Sequence, residues 1–255
     1  MRMLVTNDDS HDSPLFLMLI EALQELGDLQ IVVPASEQSW KGKSMTRYGA
    51  LYVDQIQLHG HVGHSVTGTP ADCVNIGMYN LMPEPPDLVV SGINIGTNTG
   101  LGFLLASGTV GACLEGNIGG VPGLALSQEL TPEVYHLWSS ERRFDSAVLT
   151  ALRADLAQTL PLIWQQYAIA QDASAANACT WSINLPKTLA KAEVIQTRLG
   201  ATGYRSCFEK SGDQYHHRLR DVTVDQAQDT DAMITQSGRV SATRIDLSAL
   251  GQTLN

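Results

Sequence analysis

The chain reads as an α/β protein with a Rossmann-like, three-layer parallel-sheet core and extended C-terminal arms or hairpins. Three observations predict this. Apolar runs at residues 3–6 and at Ile31-Val32-Val33 flank an amphipathic helical stretch. Further apolar runs, at Leu88-Val89-Val90 and residues 121–127, alternate with helical segments. Polar clusters stand directly behind several of these strands, where open α/β sheets place their ligands.

The elements follow in order. Residues 3–6 form a short buried strand. Ser13-Pro14 opens a helix, with a hydroxyl at the N-cap and proline at the first helical position. Leu15, Leu19, Ala22, Leu23 and Leu26 then share one face, and Gly27 is the expected stop. Ile31-Val32-Val33 is the second strand, parallel to the first through a right-handed crossover. Residues 34–66 break the pattern, with short strands at Leu51-Tyr52-Val53 and His64-Ser65-Val66 in an excursion over the sheet. Thr69-Pro70-Ala71-Asp72 opens a helix to Met78, and a strand at 87–91 leads to the loop Gly92-Ile93-Asn94-Ile95-Gly96-Thr97-Asn98. Ser107-Gly108-Thr109 leads into a helix over 110–117, followed by a strand at 121–127 and a long helix over 146–166. Trp181-Ser182-Ile183-Asn184-Leu185 is expected as the last core strand. Residues 1–186 therefore form the α/β core, and 187–255 an extended oligomerisation arm without a clear helix.

Composition narrows the function. Of the 255 residues, 44% are apolar and 16% charged, which suits a buried core and excludes disorder. A formal net charge of −10 offers no general attraction for nucleic acid or an anionic membrane. The four cysteines are far apart without a C-x-x-C pair, which argues against a zinc cluster or redox motif and for thiols in a reducing cytoplasm. No stretch approaches the roughly 18 apolar residues of a membrane helix, and the N-terminal apolar run is too short for a signal peptide.

The chemistry is expected at three clusters on one sheet edge: Asn7-Asp8-Asp9, residues 36–39, and residues 91–98. Asp8 and Asp9 are like charges side by side. Packed closely they repel, and one pKa rises unless a cation intervenes. Carboxylate, hydroxyl and amide oxygens suit Mg²⁺ or Mn²⁺ and disfavour zinc. Ser107-Gly108-Thr109 at a helix start offers N–H groups and hydroxyls to an anion. A metal beside such a terminus suggests phosphate-ester hydrolysis by a metal-activated water. His59, His61 and His64 alternate, but no carboxylate or cysteine completes a metal set around them.

These residues carry a family resemblance. The strand with Asn7-Asp8-Asp9, Gly68-Thr69-Pro70-Ala71-Asp72-Cys73, and Pro86-Asp87-Leu88-Val89-Val90-Ser91-Gly92-Ile93-Asn94 resemble the SurE (stationary-phase survival protein) nucleotidases. Gly96-x-Asn98, Ser107-Gly108-Thr109-Val110, Glu115-Gly116 and Gly120-Val121-Pro122 continue the series, with a weaker echo at 181–186, 197–200 and 229–231. The resemblance implies a metal-dependent phosphatase for nucleoside 5′- and 3′-monophosphates, with one divalent ion per subunit held by Asp8, Asp9, Ser39 and Asn94. It places the phosphate at Asn98, Ser107, Gly108 and Thr109. It also implies a homodimer or homotetramer joined through an exchanged C-terminal hairpin.

The chain departs from that pattern beside the expected site. Ser10 stands where the family has glycine, and Trp40-Lys41-Gly42-Lys43 replaces a run of small residues. If position 10 needs φ > 0, Ser10 is strained. Trp40 is a candidate to stack on a base, and Lys41 and Lys43 to supply positive charge. Three alternatives stand beside the nucleotidase: an aspartyl-phosphate enzyme, disfavoured by Ser10 two residues after Asp8; a phosphatase for other phosphomonoesters or polyphosphate; and a nucleotide- or metal-binding relic without turnover.

Overall fold

The computed structural model describes residues 1–168 and 178–250. Its first half runs β1 (Arg2–Thr6), α1 (Pro14–Leu23), β2 (Asp28–Pro34), β3 (Val53–Leu58), β4 (His61–Val66), α2 (Pro70–Ile76), β5 (Leu88–Ile95), α3 (Leu101–Ala106), α4 (Gly108–Ile118) and β6 (Gly123–Gln128). The second half continues through α5 (Pro132–Glu141), α6 (Ser146–Ile163), β7 (Thr180–Leu185), β8 (Val194–Thr197), β9 (Gly203–Tyr204), β10 (Phe208–Ser211), β11 (Gln214–His217), β12 (Val222–Thr223), α7 (Asp231–Gln236) and β13 (Val240–Ile245).

Nine strands form one sheet in the order β3-β4-β2-β1-β5-β6-β7-β13-β8. From β4 to β7 every neighbouring pair is parallel, while β3 on β4 and β13 on β7 are antiparallel. From β1 the chain steps to one side through β2, then crosses back to β5 on the other. The carboxyl ends of β1 and β5 therefore border the topological switch point, where such sheets bind ligands.

Strand alternation divides the interior into two cores. Met3, Val5, Ile31, Val33, Leu88 and Val90 face α1 and α6, packing on Leu15, Leu19, Leu23, Leu156 and Leu160. Leu4, Val32 and Val89 face the opposite layer, against Cys73 and Val74 of α2 and Val110 and Cys113 of α4. Because both faces are covered, these strands read as unbroken apolar runs instead of alternating ones. Full burial of each large aliphatic side chain is worth roughly 1.5–3 kcal/mol. No helix among the described residues is long and apolar enough to cross a membrane.

Several expectations are corrected. Helix α2 opens behind Thr69 as expected, with Thr69 and Asp72 closing a reciprocal capping box, but ends at Ile76 instead of Met78. Ser13 occupies the N-cap of α1, but its hydroxyl makes no capping bond and is buried without a partner. Helix α1 ends at Leu23, before Gly27. The second part of the excursion after β2 extends the sheet edge as the β3–β4 hairpin, so these strands do not lie over the sheet. Trp181–Leu185 is not the last core strand, because β13 and β8 join the sheet beyond β7. The tail also contains helix α7. Residues 251–255 of the expected arm lie outside the described residues.

Candidate active site

The end of β1 delivers Asp8 and Asp9 into the switch point, where they are only 3% and 7% exposed. Asp8 is held from two sides. Its Oδ1 accepts a hydrogen bond from Thr109 Oγ1 at 2.7 Å, and its backbone oxygen accepts one from Gln38 N at 2.8 Å. The first bond joins β1 to the start of α4; the second joins it to the loop after β2. Gly108 permits this approach, since a Cβ there would lie 2.9 Å from Asp8 Cβ. Asp9 Oδ2 accepts from Ile95 N at 3.0 Å.

Both acids are pushed well above the ordinary carboxylate range. For Asp8 the main cause is burial, opposed by the Thr109 hydroxyl and worsened by the charge of Glu37. For Asp9 burial again leads, followed by the charge of Asp8 itself. A pair of carboxylates this dry is costly without a cation.

Strand β5 brings the amide. Its register slips between Ser91 and Asn94, so the strand bends where it leaves the sheet. Gly92 at φ +130 is needed there, because a Cβ would meet Leu126 O at 2.3 Å. Asn94 Nδ2 donates to Gly96 O at 2.6 Å, directing its amide oxygen away from that carbonyl. Asn98 is fixed by both ends: its backbone N donates to Asn184 Oδ1 and its Nδ2 to Ser127 Oγ, each at 2.8 Å. Ser107 caps α4 by accepting from Val110 N at 3.1 Å.

A cavity of about 590 Å³ opens over these groups, a size suited to a small-molecule ligand. Asp8, Ser39, Asn94, Asn98 and Ser107 line it together. Asp9, Gly108 and Thr109 stand behind that wall; the buried Thr109 hydroxyl is directed at Asp8. Ser39 Oγ donates to Glu37 Oε1 at 2.8 Å.

Sequence reasoning missed six lining residues: Glu37, Phe103, Ala106, Tyr135, His217 and Leu219. Glu37 also pairs with Arg142, which sits at φ +53 and reduces the upward shift of Asp9. Only Glu37 had a readable signal, as an acid inside the expected polar cluster at 36–39. Lys43 does not face the cavity as a loose cation but pairs with Glu115 at 2.6 Å. Glu115, which also accepts from Asn75 at 2.8 Å, thereby anchors the 40–43 loop. Among the described residues no group of three or more His, Cys, Asp or Glu is placed to hold a metal. A cation here would rest on two acids completed by hydroxyl and amide oxygens, a donor set that fits a hard divalent ion.

Among the described residues, three of the four non-glycine residues with positive φ adjoin this site: Ser10 (77°), Trp40 (62°) and Arg142 (53°). Strain of this kind gathers where surrounding structure fixes a functional geometry.

Fold and site together define an α/β protein with a buried acid pair at the switch point of its sheet. The Survival protein SurE family profile matches residues 3–206, and the chain belongs to that family. It is 33% identical over 262 residues to a protein of Methanocella arvoryzae named 5'-nucleotidase SurE, covering 99% of this chain and 95% of that one. A protein of the same name from Methanopyrus kandleri is 31% identical over 257 residues, covering 98% and 93%. The crystal structure of the SurE protein from Aquifex aeolicus superposes with a TM-score of 0.70 at 26% identity, over 98% of this chain and 95% of that one.

Proposed function

We propose that the protein is a divalent-metal-dependent nucleotidase that hydrolyses nucleoside 5′- and 3′-monophosphates to nucleoside and phosphate. The observation that carries this reading is the dry Asp8–Asp9 pair, with Asp8, Ser39 and Asn94 on one cavity wall. Relatives named 5'-nucleotidase across nearly their whole length support it.

Asp8, Asp9, Ser39 and Asn94 would hold one Mg²⁺ or Mn²⁺ per subunit. When bound, such an ion polarises a phosphoryl group and makes a nearby water more acidic. Thr109 acts through Asp8, fixing the carboxylate that its hydroxyl touches. Asn98 and Ser107 face the cavity and would take the phosphate oxygens beside the N-terminus of α4. Because Ser127 and Asn184 lock Asn98 in place, that donor is oriented before substrate arrives. We place the protein in the cytoplasm as a homodimer or homotetramer; its cysteines are buried, and burial pushes the Cys73 and Cys113 thiols upward, away from reactive thiolates.

The test is phosphate release from a panel of nucleoside monophosphates with Mg²⁺, with Mn²⁺ and with EDTA, beside an Asp8→Asn, Asp9→Asn variant. Metal-dependent release by the wild type, lost in the variant, is expected. Folded protein that binds metal yet releases no phosphate would instead identify a binding relic.

A further inference from the structure

Trp40 follows Ser39 directly and lines the cavity, yet remains 40% exposed in a left-handed backbone conformation. Its loop is pinned just after Lys41. Gly42 N donates to Ala106 O at 2.8 Å, and Lys43 pairs with Glu115. The indole is gripped by three rings from distant parts of the chain. Phe103 of α3 lies 6.0 Å away, Tyr204 of β9 5.0 Å and His217 of β11 4.7 Å between centroids. All three are steeply inclined to it, at 60–68°. Phe103 and Tyr204 also contact each other, at 5.5 Å. None of these neighbours stacks in parallel on the indole, so parallel stacking is left to what enters the cavity.

We infer that Trp40 determines substrate specificity: with Phe103 and His217 it forms an aromatic wall that takes the flat base of the substrate. This rests on the nucleotidase reading for its substrate. The wall is in place before binding, because the loop bonds and the ring contacts hold Trp40 without a ligand. A phosphomonoester without a ring would meet the same acids and helix terminus but gain nothing from the wall.

The experiment compares kcat/KM for adenosine 5′-monophosphate and for ribose 5-phosphate in wild type, Trp40→Gly and Trp40→Phe. Glycine suits the left-handed backbone, so Trp40→Gly retains the loop conformation. The nucleotide-to-ribose-phosphate ratio should fall roughly tenfold to a hundredfold in Trp40→Gly, the range expected for one base stacked on one ring. Trp40→Phe should recover most of it. An unchanged ratio, whether both substrates lose activity or neither does, would overturn the inference. A second readout does not depend on turnover: quenching of protein fluorescence by adenosine should be strong in wild type and weak in Trp40→Gly. If the wild type hydrolyses neither substrate, the nucleotidase reading has failed, and this titration decides the aromatic wall separately. Absence of quenching in wild type would overturn it.

Discussion

At the scale of single residues, the site is shaped by backbone positions that the side chains do not favour. Ser10 at φ 77 follows the acid pair, with its Oγ 3.2 Å from His11 Nδ1. A left-handed conformation costs a non-glycine residue roughly 1–2 kcal/mol. Glycine avoids that cost but loses about 0.5–1 kcal/mol more in chain entropy on folding. The first effect is larger, so Ser10→Gly should raise stability by roughly 0.5–1 kcal/mol, read as a higher urea midpoint with an unchanged slope. Thr109→Val tests the support of Asp8. It removes the 2.7 Å hydrogen bond while keeping the side-chain volume in a fully buried position. Groups that orient a metal ligand are typically worth about 10–100-fold in affinity. Mn²⁺ titration of Thr109→Val should show a loss in that range, with secondary structure intact. Equal affinities in the two proteins would mean that Asp8 is held well enough by Gln38 and packing alone.

Among the elements, the returning tail is fastened by two aspartates with opposite electrostatics. Asp231, buried in the first turn of α7, accepts from Gly100 N at 2.6 Å, Ala232 N at 2.9 Å and Gly200 N at 3.1 Å. Burial pushes its carboxyl upward and these amide bonds oppose the shift. Gly100 leads into α3, which carries Phe103, so this carboxylate connects the tail to the cavity wall. Asp231→Asn should cost roughly 2 kcal/mol by urea denaturation, the scale of a hydrogen bond to a charged group. Asp225 behaves in the opposite way. Amides of Ala201 and Ala227, with Arg198, hold its carboxyl down to about 2. A depressed carboxylate contributes stability that is present above its unfolded pKa, near 3.9, and is lost as pH falls toward the folded value. Asp225→Asn should therefore be less stable than wild type at pH 7, and the difference should shrink as pH falls from about 4 to about 2. The same elements explain what the sequence revealed. Strands β1, β2 and β5 were legible because burial on both faces leaves them apolar. Strand β13 was not, because its buried Ser241 and Thr243 satisfy their hydroxyls on Thr235 and Thr197, at 3.0 and 2.8 Å. Asp8 and Asp9 were readable as adjacent acids behind a strand. Tyr135 and His217 reach the cavity only through topology, from segments with no local sign of a site.

For the whole molecule, the β10–β11 hairpin is the part that its own chain does not explain. Phe208 and Tyr215 are 61% and 65% exposed, and every residue of β11 is exposed. The two strands pair only with each other among the described residues. An isolated two-stranded hairpin is marginal in water, and this one touches the rest of the fold through His217 on Trp40, so a partner surface over its exposed rings would stabilise it. A second copy of the chain is the occupant expected of an exchanged arm. Light scattering coupled to size exclusion should give the mass of a dimer or tetramer. Phe208→Asp with Tyr215→Asp should shift it toward one chain, because each change sets a charge on a ring that the assembly would bury. The net charge of −10 makes copies repel, so assembly should strengthen as salt rises from low ionic strength. His217 ends β11 and packs on Trp40, which would link assembly to the cavity. The dissociated variant should therefore lose part of its preference for nucleotides over ribose 5-phosphate. A wild-type monomer at all salt concentrations would instead mean that the hairpin needs no second copy, the ring contact of His217 with Trp40 being sufficient to hold it.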